Sequence, residues 1–268
     1  MGRSMSQLII GKDHPGFSDE DYVRRRNAIA LIAENYRVGD LIPEVPYVSE
    51  EHNVWRDVYR KLELLYPQFA IAEYNECFKK IELWDSVIPQ FSTLNRKLFD
   101  YCFEVSPVPG LVSAREFLSE LANSRMSCTQ YIRHHSVPEY TPEPDIIHEV
   151  FGHAVFFLNE DMRELNRLFG KAALSASDEE VGRLIRLYWH TIEFGVCVEE
   201  GSIKAYGAGL LSSAKELSGI QKIPLRKFDI EEMTKTTYDT MNPQGRLFCA
   251  ESFEYMVKKL KKYFEHSR

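Results

Sequence analysis

The sequence predicts a mostly α protein: a single compact domain with a few short strands. Three observations carry that expectation. Apolar residues recur at three- and four-residue spacing in one run after another. Ser-x-x-Glu boxes stand ahead of two of those runs, at Ser113 and Ser177. No regular strand–helix alternation and no G-x-G-x-x-G turn marks a nucleotide-binding sheet. At 268 residues and 44% hydrophobic content the chain can bury a large core, and no linker, repeat or low-complexity tract divides it.

Taken in order, residues 1–12 are expected to form a flexible N-terminus and residues 13–268 the domain. Ser18 is expected to cap a first helix, with Tyr22, Ala28, Ile29, Ile32 and Tyr36 at helical spacing and Gly39 closing it. Prolines hold 41–47 extended; Ser49 then opens a second helix through Val54, Trp55, Val58, Leu62 and Leu65, which Pro67 stops. Further runs follow over Ala70 to Ile81 and from Ser92 to Cys102. Pro107 to Gly110 breaks the pattern before the Ser113 box leads into Phe117, Leu118 and Leu121. Cys128 to His134 has strand character. Pro144 suits the first turn of the next helix, and Asp145 complements its positive end. The Ser177 box starts a long helix through Val181, Leu184, Ile185, Tyr188, Trp189, Ile192 and Val196, ended by Gly201. The glycines of 203–213 read as a tight turn in a strand-like stretch, a hairpin or site wall, and Cys249 to His266 reads as one amphipathic helix.

A net charge of -7 leaves no broad cationic surface for phosphate backbones, so no nucleic-acid partner is expected. The five cysteines are odd in number and form no C-x-x-C pair, which fits a reducing cytosol rather than a disulfide framework. No run of 18 apolar residues and no signal-peptide pattern appears, so a cytoplasmic protein without membrane association is expected. Met1-Gly2-Arg3-Ser4-Met5-Ser6 formally fits an acylation pattern, but one acyl chain anchors only weakly, and the second methionine makes Gly2-Arg3-Ser4 read as an appended remnant.

The chemistry concentrates in Tyr140 to His153, which holds two imidazoles and several carboxylates. His148 and His153 are five residues apart, about 140° on an ideal helix, whereas the zinc-protease pattern H-E-x-x-H needs four. A small distortion of the helix would still aim both rings at one ion. Glu193 stands among apolar neighbours on the later helix, where a buried carboxylate needs a partner. Two histidines and one carboxylate make the facial triad of non-haem iron(II) oxygenases. From residue types alone, an ion pair of Glu193 with Arg186 or contact with His190 serves equally well. A metal-dependent hydrolase with Glu149 as base, and a non-catalytic helical binding protein, are the competing functions.

Five ordered motifs lie at Thr129–His134, Tyr140–Asp145, His148-Glu149 with Gly152-His153, Tyr188-Trp189 with Glu193-Phe194-Gly195, and Ala205–Ser213. Together they resemble the pterin-dependent aromatic amino acid hydroxylases, and most closely the catalytic domain of those acting on phenylalanine. The resemblance extends from Asp13 to Phe253. It implies an iron site in a central cleft with His148, His153 and Glu193 as ligands, a tetrahydropterin cofactor, and O2 as co-substrate. It implies that Arg133 holds the substrate carboxylate, that Thr141, Pro144, Trp189, Phe194, Gly209 and Ser213 form the substrate pocket, and that Ser212 orients His148. On the pterin it implies Phe117 stacking, Gly110 and Val112 alongside, and hydrogen bonds from Glu149.

Departures from the pattern narrow the expectation. Ala114, Ser127 and Ile185 replace a serine, a histidine and a small residue usual in animal phenylalanine enzymes, which bears on the natural pterin. Trp189 argues against a tryptophan hydroxylase and Tyr140-Thr141 against a tyrosine hydroxylase, so a free aromatic amino acid, phenylalanine, is the expected substrate, with tyrosine, tryptophan or mixed specificity the alternative. The regulatory and tetramerisation segments of the family are not in this sequence, and a monomer is expected.

Overall fold

The computed structural model describes residues 10–12, 14–240 and 242–266. Residues 1–9, which carry the Gly2 pattern and most of the expected flexible N-terminus, lie outside the described residues; Ile10, within that expected stretch, is buried. Among the described residues the chain is mostly helical, as the periodicity predicts, and no helix is long and apolar enough to cross a membrane.

The helices are α1 (Glu20–Glu34), α2 (Ser49–Phe69), α3 (Ala72–Ile81), α4 (Phe91–Leu98), α5 (Ala114–Leu121), α6 (Glu160–Ser175), α7 (Asp178–Tyr188), α8 (Ala208–Leu211), α9 (Ala214–Gly219), α10 (Ile230–Lys235) and α11 (Phe253–His266). The strands are β1 (Glu104–Pro107), β2 (Arg125–Cys128), β3 (Val196–Glu199), β4 (Ser202–Ala205), β5 (Leu225–Lys227) and β6 (Leu247–Ala250). Strands β1 and β2 pair in parallel; a second sheet runs β4-β3-β6-β5, with β3–β4 an antiparallel hairpin and β6 parallel to β3 and β5.

Several boundaries differ from the sequence pattern for local reasons. Asp19, not Ser18, caps α1, its Oδ1 accepting from the Asp21 and Tyr22 N–H groups. Helix α2 continues past Pro67 to Phe69, because tertiary packing of its buried face overrides the lost backbone donor. The strand near 128 ends at Cys128 rather than beginning there. Gly201 sits in the β3–β4 turn, not at a helix end, and the last helix starts at Phe253 because 247–250 is a sheet strand. The Ser177 box is formed as predicted, Ser177 and Glu180 bonding reciprocally.

A main hydrophobic core runs through the described residues, with Trp55, Leu62, Tyr66, Tyr74, Phe151, Phe156 and Phe169 fully buried, and a small second cluster joins Ile29, Ala30, Val45 and Tyr131. It fixes the segments that carry the chemistry. Trp55 stacks on Phe151 with ring centroids 4.7 Å apart, and the Tyr74 hydroxyl donates to the Phe151 carbonyl at 2.6 Å.

Candidate active site

Two segments expected to be α-helical are wound more loosely. His148–Ala154 and Trp189–Glu193 are π-helical turns, the first closing with Val155 N–H to Val150 O at 3.0 Å and the second with Phe194 N–H to Trp189 O at 2.9 Å. This winding is the distortion that the His-x-x-x-x-His register requires, since residues five apart then fall on successive turns of one face. The helix carrying the histidines begins at Ile146, with Pro144 outside it. Asp145 caps it, its Oδ1 accepting from His148 N–H at 3.1 Å.

The two turns bring His148, His153 and Glu193 together. His148 Nε2 lies 3.1 Å from His153 Nε2 and 3.5 Å from Glu193 Oε2; His153 Nε2 lies 3.2 Å from Glu193 Oε1. Neither Arg186 nor His190 is the partner of Glu193: Arg186 donates to the Thr234 carbonyl and His190 Nε2 meets the Thr236 carbonyl. Ser212 Oγ donates its single proton to the Ala208 carbonyl at 2.8 Å and so accepts from His148 Nδ1, 3.0 Å away. His148 is thereby held in the tautomer whose Nε2 carries a lone pair. Burial lowers its pKa to about 4, against the opposing charge of Glu193. Burial acts the same way on His153, but the charge and hydrogen bond of Glu193 outweigh it and raise that imidazole; Glu193, buried as well, is lowered by the histidines. Two ring nitrogens and a carboxylate at this spacing, with one imidazole already in the metal-binding tautomer, fit a divalent transition-metal ion with open positions.

The cluster opens into a cavity of about 500 Å³. Every residue the resemblance implicates lines it: Arg133, Thr141, Pro144, Trp189, Phe194, Gly209, Ser212 and Ser213 from the substrate set, and Gly110, Val112, Phe117 and Glu149 from the pterin set. Ala114, Ser127 and Ile185 line it too. Close approach of helix α8 shapes the wall. A Cβ on Gly152 would stand 2.9 Å from the Ala208 carbonyl oxygen, and one on Gly209 2.5 Å from the Phe194 ring. The 203–213 stretch is thus both parts of what its sequence suggests: its start belongs to hairpin strand β4, and Gly209, Ser212 and Ser213 make its end a site wall, with Gly207 and Gly209 serving close contact rather than a tight turn.

Arg133 is buried, not part of a surface ion pair. Its Nε and Nη2 meet Asp145 at 3.0 and 2.7 Å, and Nη1 donates to the Pro138 and Ser212 carbonyls. One Nη2 N–H remains unused among the described residues. Glu149 Oε1 accepts from the Thr129 N–H at 2.9 Å, and burial pushes its pKa up to about 7. Phe117 meets Tyr188 edge-to-face at 5.4 Å.

Three lining residues escape the sequence pattern. Tyr238 stacks on Trp189 at 4.3 Å, and Gln244 accepts from Trp189 Nε1 at 3.1 Å. Their segment has no periodicity to mark it. Glu216 sits in a Ser-x-x-Glu box that reads as a helix cap, yet its carboxylate lines the cavity, where burial pushes it up to about 7.

The family model for biopterin-dependent aromatic amino acid hydroxylases matches residues 5–267. The chloroplastic phenylalanine 4-monooxygenase of Pinus taeda is 41% identical over 95% of this chain and 73% of its own length. Human tyrosine 3-monooxygenase is 43% identical over 94% of this chain, which spans only 49% of that relative. Phenylalanine hydroxylase from Chromobacterium violaceum, solved with iron(III) and 7,8-dihydrobiopterin, superposes with a TM-score of 0.79 at 27% identity, covering 91% of this chain and 90% of that one. With nearly its whole length matched and its His, His, Glu cluster formed, the chain belongs to the biopterin-dependent aromatic amino acid hydroxylases.

Proposed function

We propose that this chain is an iron(II)- and tetrahydropterin-dependent monooxygenase that hydroxylates the ring of a free aromatic amino acid, converting phenylalanine to tyrosine. The observation that carries the reading is the convergence of His148, His153 and Glu193 donor atoms within 3.1–3.5 Å of one another in a cavity walled by Trp189 and Phe194. These three side chains would hold the iron, and iron and pterin, once bound, would supply the oxygen-activating chemistry that the protein itself lacks.

The rest of the work falls to placement. Asp145 fixes the Arg133 fork, and the remaining Nη2 N–H receives the substrate carboxylate. Trp189, stacked on Tyr238 and tied to Gln244, gives the aromatic ring a wall whose position does not depend on the ligand; Phe194 packs beside it at 4.8 Å. Thr141 and Pro144 close the pocket from the loop before the histidines, and Ser213 from the start of α9. Phe117 offers its ring face to the pterin, with Gly110 and Val112 beside it. Glu149, with Oε1 taken by Thr129, offers its second oxygen to the pterin ring nitrogens. A solved bacterial relative that holds iron(III) and 7,8-dihydrobiopterin supports the reading that this fold takes a pterin.

Tyrosine is the second substrate reading, favoured by the similarity to tyrosine 3-monooxygenases. The Tyr140-Thr141 pair weighs against tyrosine, and Trp189 weighs against tryptophan. Direct competition of phenylalanine, tyrosine and tryptophan for the iron- and pterin-loaded protein decides between them. Phenylalanine is expected to show the highest kcat/KM, and a preference for tyrosine or tryptophan would reassign the substrate.

A further inference from the structure

Four glutamates line the cavity among the described residues, and three have partners. Glu143 is held by Arg26 at 2.6 Å, Glu149 by the Thr129 N–H at 2.9 Å, and Glu193 faces the two imidazoles. Glu216 differs. It is buried, no lysine, arginine or histidine forms an ion pair with it among the described residues, its Oε1 accepts a long 3.4 Å bond from the Gln244 N–H, and the nearby Ser213 hydroxyl already donates to the Glu139 carbonyl at 2.9 Å. A buried carboxylate without a counter-ion is costly, and its retention needs a reason.

Helix capping does not supply one. In Ser213-Ala214-Lys215-Glu216 the first half of a capping box is formed, Ser213 Oγ accepting from Glu216 N–H at 3.3 Å. The return bond is replaced: the Ser213 N–H goes to the Leu210 carbonyl at 3.2 Å, and the Glu216 carboxylate is left on the cavity wall. Beside that serine, the Ser212 carbonyl accepts from Arg133 Nη1 at 3.1 Å. The segment Ser212–Glu216 therefore ties two complementary groups to one wall: a guanidinium with a spare N–H and a carboxylate with no cation.

We propose that Glu216 receives the α-ammonium group of the amino acid whose carboxylate Arg133 takes, so that the pair selects free zwitterionic amino acids. The inference rests on the reading of this cavity as an amino acid site. It makes the ammonium group a determinant of recognition: ligands of the same shape without that charge leave Glu216 buried and unpaired.

The test compares phenylalanine with 3-phenylpropanoate, which lacks only the ammonium, by calorimetry on the iron-loaded protein without oxygen. The wild type is expected to favour phenylalanine by about 10- to 100-fold. Glu216→Gln is expected to lose most of that preference while holding 3-phenylpropanoate as before, and in turnover to raise the phenylalanine KM far more than it lowers kcat. Equal weakening of both ligands in the variant, or a preserved preference, overturns the proposal. Should the variant not fold, the wild-type comparison still stands, and equal affinity for the two ligands overturns the proposal there. Wild-type protein that binds neither ligand defeats the amino acid reading itself, and this inference with it.

Discussion

Ser212 decides which nitrogen of His148 is open. Its hydroxyl proton is committed to the Ala208 carbonyl, so the imidazole must donate from Nδ1 and present Nε2 to the cluster. Ser212→Ala removes that acceptor from a buried site. Iron affinity is expected to fall about 10- to 100-fold with the fold intact, as read by competition with a chelator alongside circular dichroism; undiminished affinity would remove Ser212 from the metal site. Arg133 shows the same economy at short range, since Asp145 accepts its backbone N–H as well as two edges of its fork. Such roles are not legible in a serine or an arginine taken singly. They became expectations here only through five motifs read together, and the partners (Ala208 O, Asp145, Ser212 O) come from the fold.

At the scale of elements, the two π-helical turns and helix α8 make one unit. Gly152 lies where α8 crosses the histidine turn, and an added Cβ would meet Ala208 Cβ and carbonyl oxygen at 2.9 Å. Because Ala208 also anchors Ser212, Gly152→Ala is expected to cost about 1–3 kcal/mol of stability and to weaken iron binding together. Thermal melting and iron titration check this; a variant unchanged in both would show that α8 yields without strain. Helices α2, α3, α5 and α7 were legible because their apolar spacing matches a 3.6-residue turn, and α5 and α7 also because Ser113 and Ser177 cap them. The π turns were not, since a five-residue bond ring is a response to tertiary packing and leaves only a spacing that looks wrong for an α-helix. The β3–β6–β5 pairings escaped for a related reason: β6 joins β3 and β5 from residues far apart in the chain.

Across the whole molecule, stability carries a trace of the site. Burial, only partly offset by the Gln244 N–H, Lys215 and Ser213, raises the Glu216 carboxyl from 4.5 to about 7. An acid raised in the folded state binds a proton that the unfolded chain has released. Its contribution is therefore complete below about 4.5 and is lost as pH rises through about 7. Glu216→Gln removes that titration, so denaturant unfolding should find the variant more stable than wild type by roughly 1–3 kcal/mol above about pH 8 and near parity in mild acid. Equal stability at both pH values would mean the carboxyl is not desolvated. The family match over residues 5–267 and the cavity that collects every implicated residue rest on the same claim, that this chain couples iron, pterin and oxygen to an aromatic ring. The direct measurement is a single assay. Protein loaded with iron(II) under anaerobic conditions is given tetrahydropterin, phenylalanine and oxygen, and the products are identified by mass. Tyrosine is expected to form in step with pterin oxidation. With iron bound, failure to form tyrosine from phenylalanine, dihydroxyphenylalanine from tyrosine and hydroxytryptophan from tryptophan would contradict that claim.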